Sequence, residues 1–171
     1  SFKFQGVNKM VRQNNIIVDL DNTLALDEWR RPYIQSHGWE GYFELCGGDK
    51  VNESVATTLA VLQDSGFKVH ILTSRSESMY KKTVEWLKEH HIDYVNLTMR
   101  PAHHYQDTEE GAVYHGNHTT VKLEMATKLG LKPENTLMVL EDTDEVVTAW
   151  REVGYNCWQV REQGEHYHAK S

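Results

Sequence analysis

Cysteine, proline and positive charge are all scarce in this sequence, and each scarcity excludes something. The only cysteines among 171 residues are Cys46 and Cys157. Their separation fits no metal-binding spacing, so they read as free thiols of a reducing, cytoplasmic compartment rather than as a disulfide framework. Sequons at Asn52, Asn96 and Asn117 would stay unglycosylated there. With three prolines and a hydrophobic content of 39%, the chain is unlike a disordered one. No apolar run is long enough to cross a bilayer, and the stretch SFKFQGVNKMVRQ lacks the apolar segment and cleavage site of a secretory signal. Lys and Arg number 18 against 25 Asp and Glu, for a net charge of −7. That balance argues against wrapping long nucleic acid by neutralising many phosphates. The glycine-rich Walker loop with its following lysine is also missing, which argues against a kinase. A small phosphorylated ligand, or the end of a strand, needs only a local basic pocket, for which Arg75, Arg100 and Lys122 stand in separate segments.

What is present is a strict rhythm. NIIVDLD is a short β-branched run ending at two acids, the pattern of a buried parallel strand that delivers polar groups to its carboxyl edge. Similar runs are KVHILT near 68–73, YVNLT near 94–98, TLMVL near 136–140 and NCWQV near 156–160. Between them lie the helical patterns ESVATTLAVLQDSG, SESMYKKTVEWLKEHH, TTVKLEMATKLG and DEVVTAWREVG, three of them with glycine stops. Alternating strand and helix predicts a single doubly wound α/β domain over 1–171, with a mainly parallel sheet and its site at the strands' carboxyl ends. Residues 27–49, rich in aromatics and glycine, break the rhythm as a small cap insert or as a long connection with its own short helix. The tail REQGEHYHAKS reads as frayed and exposed.

Asp19 and Asp21 stand two apart at a strand end, so alternation points both to one side. A shared site for two carboxylates needs a cation, and hard oxygen ligands favour Mg²⁺. Such a pair divides labour: Asp19 attacks phosphorus, while Asp21 protonates the leaving oxygen and later deprotonates water. The bland alternative is two acids capping a turn with Asn22 and Thr23.

DLDNT at 19–23 matches the DxDxT signature of the haloacid dehalogenase-like phosphatases, and the resemblance runs on through ILTSR at 71–75, MRP at 99–101, VK at 121–122, ED at 141–142 and VVTAWREVGYNCWQV at 146–160. Together these resemble the phosphatase domain of phage polynucleotide kinase-phosphatases and their stand-alone relatives. The resemblance implies that Thr73, with Ser74 beside it, holds a phosphoryl oxygen. It gives Arg75 and Arg100 to the substrate phosphate, and Lys122 to both nucleophile and phosphate. It makes Asp142 a metal ligand with Asp19 and Asp21, and leaves Glu141 a supporting role where the family more often has Asp. Read by themselves, Arg75 could face solvent at a helix start, Arg100 could pair with a loop acid, and Lys122 could be a surface lysine. Lys128, on another face of the same helix, is the weaker phosphate ligand.

The ten histidines, paired at His90 and His91, His103 and His104, His115 and His118, and His166 and His168, lack the spacing of a closed zinc site. Trp29, Tyr33, Trp39, Tyr42 and Phe43 either stack on a nucleobase or form the insert's own small core. The expected function is hydrolysis of a nucleotide phosphate, on a mononucleotide or at a polynucleotide 3′ end. The competing classes are a phosphatase of another small ester and a binding module that kept the fold without the chemistry.

Overall fold

The computed structural model describes residues 13–161, so the basic N-terminal stretch and most of the C-terminal tail lie outside it. In chain order the elements are β1 (Asn15–Val18), β2 (Ala25–Leu26), α1 (Tyr33–Glu44), β3 (Lys50–Val51) and α2 (Glu53–Asp64), then β4 (Lys68–Ser76), α3 (Tyr80–Glu89) and β5 (Asn96–Arg100). They continue with β6 (Tyr105–Thr108), β7 (Gly111–Tyr114), α4 (His118–Lys128), β8 (Thr136–Glu141), α5 (Asp144–Val153) and β9 (Cys157–Gln159). The five strands read from the sequence form one parallel sheet in the order β5-β4-β1-β8-β9. This is the expected doubly wound fold.

Alternation along β1 explains the layering. Ile16 and Val18 pack on one face with Val55 and Leu59 of α2 and Trp86 and Leu87 of α3. Ile17 packs on the other with Val121 and Met125 of α4 and Val147 and Trp150 of α5. Burial on both faces is why the strand after Asn15 reads as the apolar run Ile16–Val18. Near the amino ends of β1, β4 and β5, the His70 ring joins all three: Nε2 lies 2.8 Å from Asn15 Oδ1, and Nδ1 lies 2.8 Å from Asn96 Nδ2. An amide donor at Nδ1 and an acceptor at Nε2 suit the neutral ring.

The chain leaves β1 for two strands on one side and returns for β8 and β9 on the other, so β1 stands at the switch point, where an α/β sheet opens a crevice. The crevice is roofed by two segments. One is the insert, closed at its base by the antiparallel pair β2 and β3. The other is the β6–β7 hairpin, which follows β5. Trp39, Tyr42 and Phe43 of α1 pack with Ala112, Tyr105 and Tyr114 of the hairpin as a small separate core. That favours the core reading of these aromatics, whereas Trp29 is 47% exposed. Helix α1 is broken at Gly38, whose φ of 67° places it in the left-handed region. There the Asp107 carboxylate caps the second half by accepting from the backbone N–H of Trp39 at 2.6 Å and of Glu40 at 3.1 Å. A Cβ on Gly38 would lie 2.4 Å from that carboxylate, so both the backbone angle and the space demand glycine.

Candidate active site

The carboxyl ends of β1, β4 and β8 deliver the polar groups. Asp19 follows β1 and extends the ladder through its N–H to the Leu140 carbonyl at 2.9 Å. Thr73 and Ser74 come from β4, Glu141 ends β8, and Asp142 follows it. Lys122 is brought in by α4, which Asn117 starts by accepting from the Thr119 N–H at 2.9 Å. Its buried face holds Val121, Met125 and Ala126 and carries Lys122 with them, while Lys128 is exposed on another side.

Lys122 Nζ donates to Asp19 Oδ1 at 2.7 Å and to Glu141 Oε2 at 2.6 Å, with all three side chains buried. Thr23 Oγ1 donates to Asp19 Oδ2 at 3.0 Å, and Asn22 Nδ2 donates to Asp142 Oδ2 at 2.9 Å. Asp19, Glu141 and Asp142 each offer a carboxylate oxygen, and these atoms lie within 4.8 Å of one another. Crowding of this kind is expensive. Burial, with Glu141 close by, pushes Asp19 up to about 7, and burial beside Asp19 pushes Asp142 up to about 8. Lys122 is held well above its ordinary range by the same neighbours, so it stays charged.

Asp21 lies elsewhere than expected. The strand ends at Val18, and the chain turns at Leu20–Ala25, with Asn22 at φ 63°, so alternation no longer sets the direction of the side chain. The Asp21 carboxylate accepts from Arg30 Nη2 and Arg75 Nη2, both at 2.6 Å, rather than joining the acidic cluster. The buried acids that could together hold a metal ion are Asp19, Glu141 and Asp142, a set without the Asp21 side chain. Burial alone would raise the Asp21 pKa, but the guanidinium groups of Arg75 and Arg30 outweigh it and hold the carboxyl well below the usual carboxylate range.

Arg30 and Asp49, at the two ends of the insert, escaped sequence reading. Arg30 is fully buried, grips Asp49 through Nε and Nη2 at 2.7 Å each, and lies 4.2 Å over the Tyr42 ring. Arg75 faces Asp21 and Thr83 Oγ1, the latter at 3.1 Å, and its N–H donates to Thr73 Oγ1 at 3.0 Å. Arg100 is buried, with Nε 3.0 Å from His104 Nδ1 and Nη2 donating to the His115 carbonyl at 2.6 Å. Tyr105 Oη donates to the Ser74 carbonyl, tying the hairpin to the carboxyl end of β4.

These groups surround a cavity of about 220 Å³ whose floor holds Asp19, Asp21, Lys122 and Asp142, with Thr73, Ser74, Arg75 and Arg100 also lining it. The roof supplies Trp39, Phe43, Tyr105 and Tyr114. Around the floor, Asp19, Asp21, Asp49, Glu141 and Asp142 outnumber Arg30, Arg75, Arg100 and Lys122 by one. One divalent cation would reverse that sign and make a seat for an anion.

Comparison with known proteins agrees with this geometry. Residues 13–165 match the family described as the polynucleotide kinase PNKP phosphatase domain. Among solved structures, a chain of a Pnkp1/Rnl/Hen1 complex superposes with a TM-score of 0.69 at 26% identity, over 91% of this chain and 47% of that one. A chain of the Pnkp1/Rnl/Hen1 RNA repair complex gives 0.69 at 28% identity, over 86% and 42%. The chain therefore spans less than half the length of these two relatives. A haloacid dehalogenase-like hydrolase from Streptococcus pneumoniae shares the fold at 16% identity, with a TM-score of 0.56 over 92% of this chain and 91% of that one. With the match covering nearly the whole sequence and the same sheet beneath it, the chain belongs to the polynucleotide kinase phosphatase-domain family of haloacid dehalogenase-like phosphatases, hydrolases of phosphate esters.

Proposed function

We propose that the protein is a Mg²⁺-dependent phosphomonoesterase that removes phosphate from nucleotides, as mononucleotides or at a polynucleotide 3′ end, through an aspartyl-phosphate on Asp19. The observation that carries this reading is Asp19 itself: a buried carboxylate held by Lys122 and the Thr23 hydroxyl, beside two further acids, on the floor of an open cavity that Thr73 also lines. Asp19, Asp142 and Glu141 fit a hard divalent cation, being buried oxygen donors with only Lys122 to offset them. When bound, the cation supplies electrostatic stabilisation of the transferring phosphoryl group.

Asp19 attacks phosphorus as the bond to the leaving oxygen breaks, and that oxygen takes a proton from Asp21. A water then gives its proton to Asp21 and attacks the same phosphorus, breaking the bond to Asp19 and releasing phosphate. Lys122, Thr73 and Ser74 face the equatorial oxygens. A substrate phosphate competes with Asp21 for Arg75, which loosens the clamp as Asp21 needs its proton. The insert and the hairpin together form the cap that limits the leaving group.

The test is a phosphatase panel of 3′- and 5′-nucleotides, 3′-phosphorylated oligonucleotides and sugar phosphates, each with and without Mg²⁺ and across a salt series. Nucleotides should lead, with a shallow salt dependence because so acidic a chain displaces few counterions from the substrate. A strong preference for sugar phosphates would refute the nucleotide reading. A steep salt-sensitive preference for the oligonucleotide would move the substrate to strand ends.

A further inference from the structure

His118 and Glu145 form a pair at the cavity rim, joining α4 to α5, that the phosphate chemistry does not use. His118 begins α4 four residues before Lys122, so it sits on the same helix face one turn higher, about 5.4 Å. Its Nε2 lies 2.7 Å from Glu145 Oε2 in the first turn of α5. Its ring meets Tyr114 edge-on at 5.8 Å. Both side chains line the cavity that holds Asp19 and Lys122, and both are partly open, with 31% and 66% of their surface exposed.

We infer that this pair accepts a hydrogen bond from the hydroxyl next to the scissile phosphate, so that the protein favours ribonucleoside 3′-phosphates over their 2′-deoxy counterparts, an inference that rests on the nucleotide reading above. A phosphorus in position for attack lies about 3–3.5 Å from Asp19. The ester oxygen and the carbons beyond it then lie a few ångströms further out, at the height of the next turn of α4. A carboxylate there repels phosphate oxygens, which are likewise anionic acceptors, but it accepts from a hydroxyl. In its neutral form, with Nε2–H donated to Glu145, the imidazole presents Nδ1 as a second acceptor. The pair therefore offers acceptors alone, and a hydroxyl is the group they fit. On a 3′-phosphorylated ribose the adjacent carbon carries that hydroxyl, on 2′-deoxyribose it carries hydrogen, and beside a 5′-phosphate the neighbouring carbon carries none. Water reaches the open rim, so the discrimination is roughly tenfold, far below that of a closed hydroxyl site.

The experiment compares kcat/KM on a ribonucleoside 3′-monophosphate and on its 2′-deoxy form, with Mg²⁺, for the wild type, Glu145→Ala, His118→Phe and the exposed control Lys128→Ala. The wild type and Lys128→Ala should favour the ribonucleotide about tenfold. In the two rim variants the preference should fall to about twofold or less, through a raised KM on the ribonucleotide. Equal efficiencies in the wild type, a measurement that needs no variant to fold, would overturn the inference. So would a preference that survives both rim changes, or an equal loss on both substrates, the signature of a mere tie between α4 and α5. Turnover of sugar phosphates without either nucleotide would remove the nucleotide reading and this inference together, whereas nucleotide turnover without ribose preference removes this inference alone.

Discussion

Replacing Arg30 by Met tests how the insert is bound to the chemistry. The guanidinium donates to Asp21 at 2.6 Å, to Asp49 twice at 2.7 Å and to the Tyr42 carbonyl at 3.2 Å, with no exposure of its side chain. Met fills much of the volume but leaves two carboxylates facing each other with one fewer cation. Breaking a buried pair by removing one partner costs about 3–5 kcal/mol. Arg75 remains 3.4 Å from Asp49 and takes up part of the load, which places the loss near the low end, about 3 kcal/mol. For a chain of this length that is a fall in Tm of about 6–12 °C. Asp49→Asn removes the opposing charge, so the double variant should melt higher than the sum of the two single effects, with a coupling of about 1–3 kcal/mol. Circular dichroism melts of the four proteins measure this directly, and kcat should fall in Arg30→Met because the Asp21 carboxylate loses one of the two groups that fix its position in the cavity. A melt of Arg30→Met within about 2 °C of wild type, or strictly additive effects, would refute the network.

Asp19→Asn should keep the fold yet abolish phosphate release, since an amide forms no acyl-phosphate; wild-type turnover by a verified preparation would sink the mechanism. EDTA should remove activity and Mg²⁺ restore it. In thermal melts the stabilisation by Mg²⁺ should be larger at pH 8.5 than at pH 5.5, because Asp19 and Asp142, raised to about 7 and 8, must give up their protons to bind it. Burial, helped by the charge of Lys68, lowers the pKa of His70, so the folded protein binds that proton less readily than the unfolded chain. This contribution is neutral above the unfolded pKa of about 6.5 and becomes destabilising as pH falls below it. His70→Gln should therefore flatten the acid side of the stability profile, and an unchanged acid limb would count against the neutral ring.

The strands were legible because a parallel strand buried on both faces is mostly apolar, and the end of NIIV at two acids marked where the site would open. Glycine stops such as Gly154, at φ 107°, fixed the helix ends. Lys122 was legible only through motif order, since nothing in its helix distinguishes a buried lysine from a solvated one. The direction of Asp21 was hidden because alternation holds only while the chain stays a strand, and the turn begins one residue too early. Arg30 and Asp49 stand 19 residues apart, in a segment without periodicity, so no local pattern announces their pairing. The β6–β7 hairpin was hidden because YQDT carries no apolar alternation and its turn is Glu109–Glu110, with Gly111 already in β7.

The cap that Asp107 places on the broken helix, with the Trp39 indole donating to the Val113 carbonyl at 2.8 Å, makes the two halves of the roof a matched set. Neither is a self-sufficient module. A graft that brings the insert of another family member onto this sheet would leave Asp107 without its N–H partners, and a graft of the hairpin alone would leave the second half of α1 uncapped. Pocket shape in this protein can therefore be re-engineered, or drift, only when residues 27–49 and 101–116 are exchanged as a pair, although more than fifty residues of sheet and helix separate them along the chain.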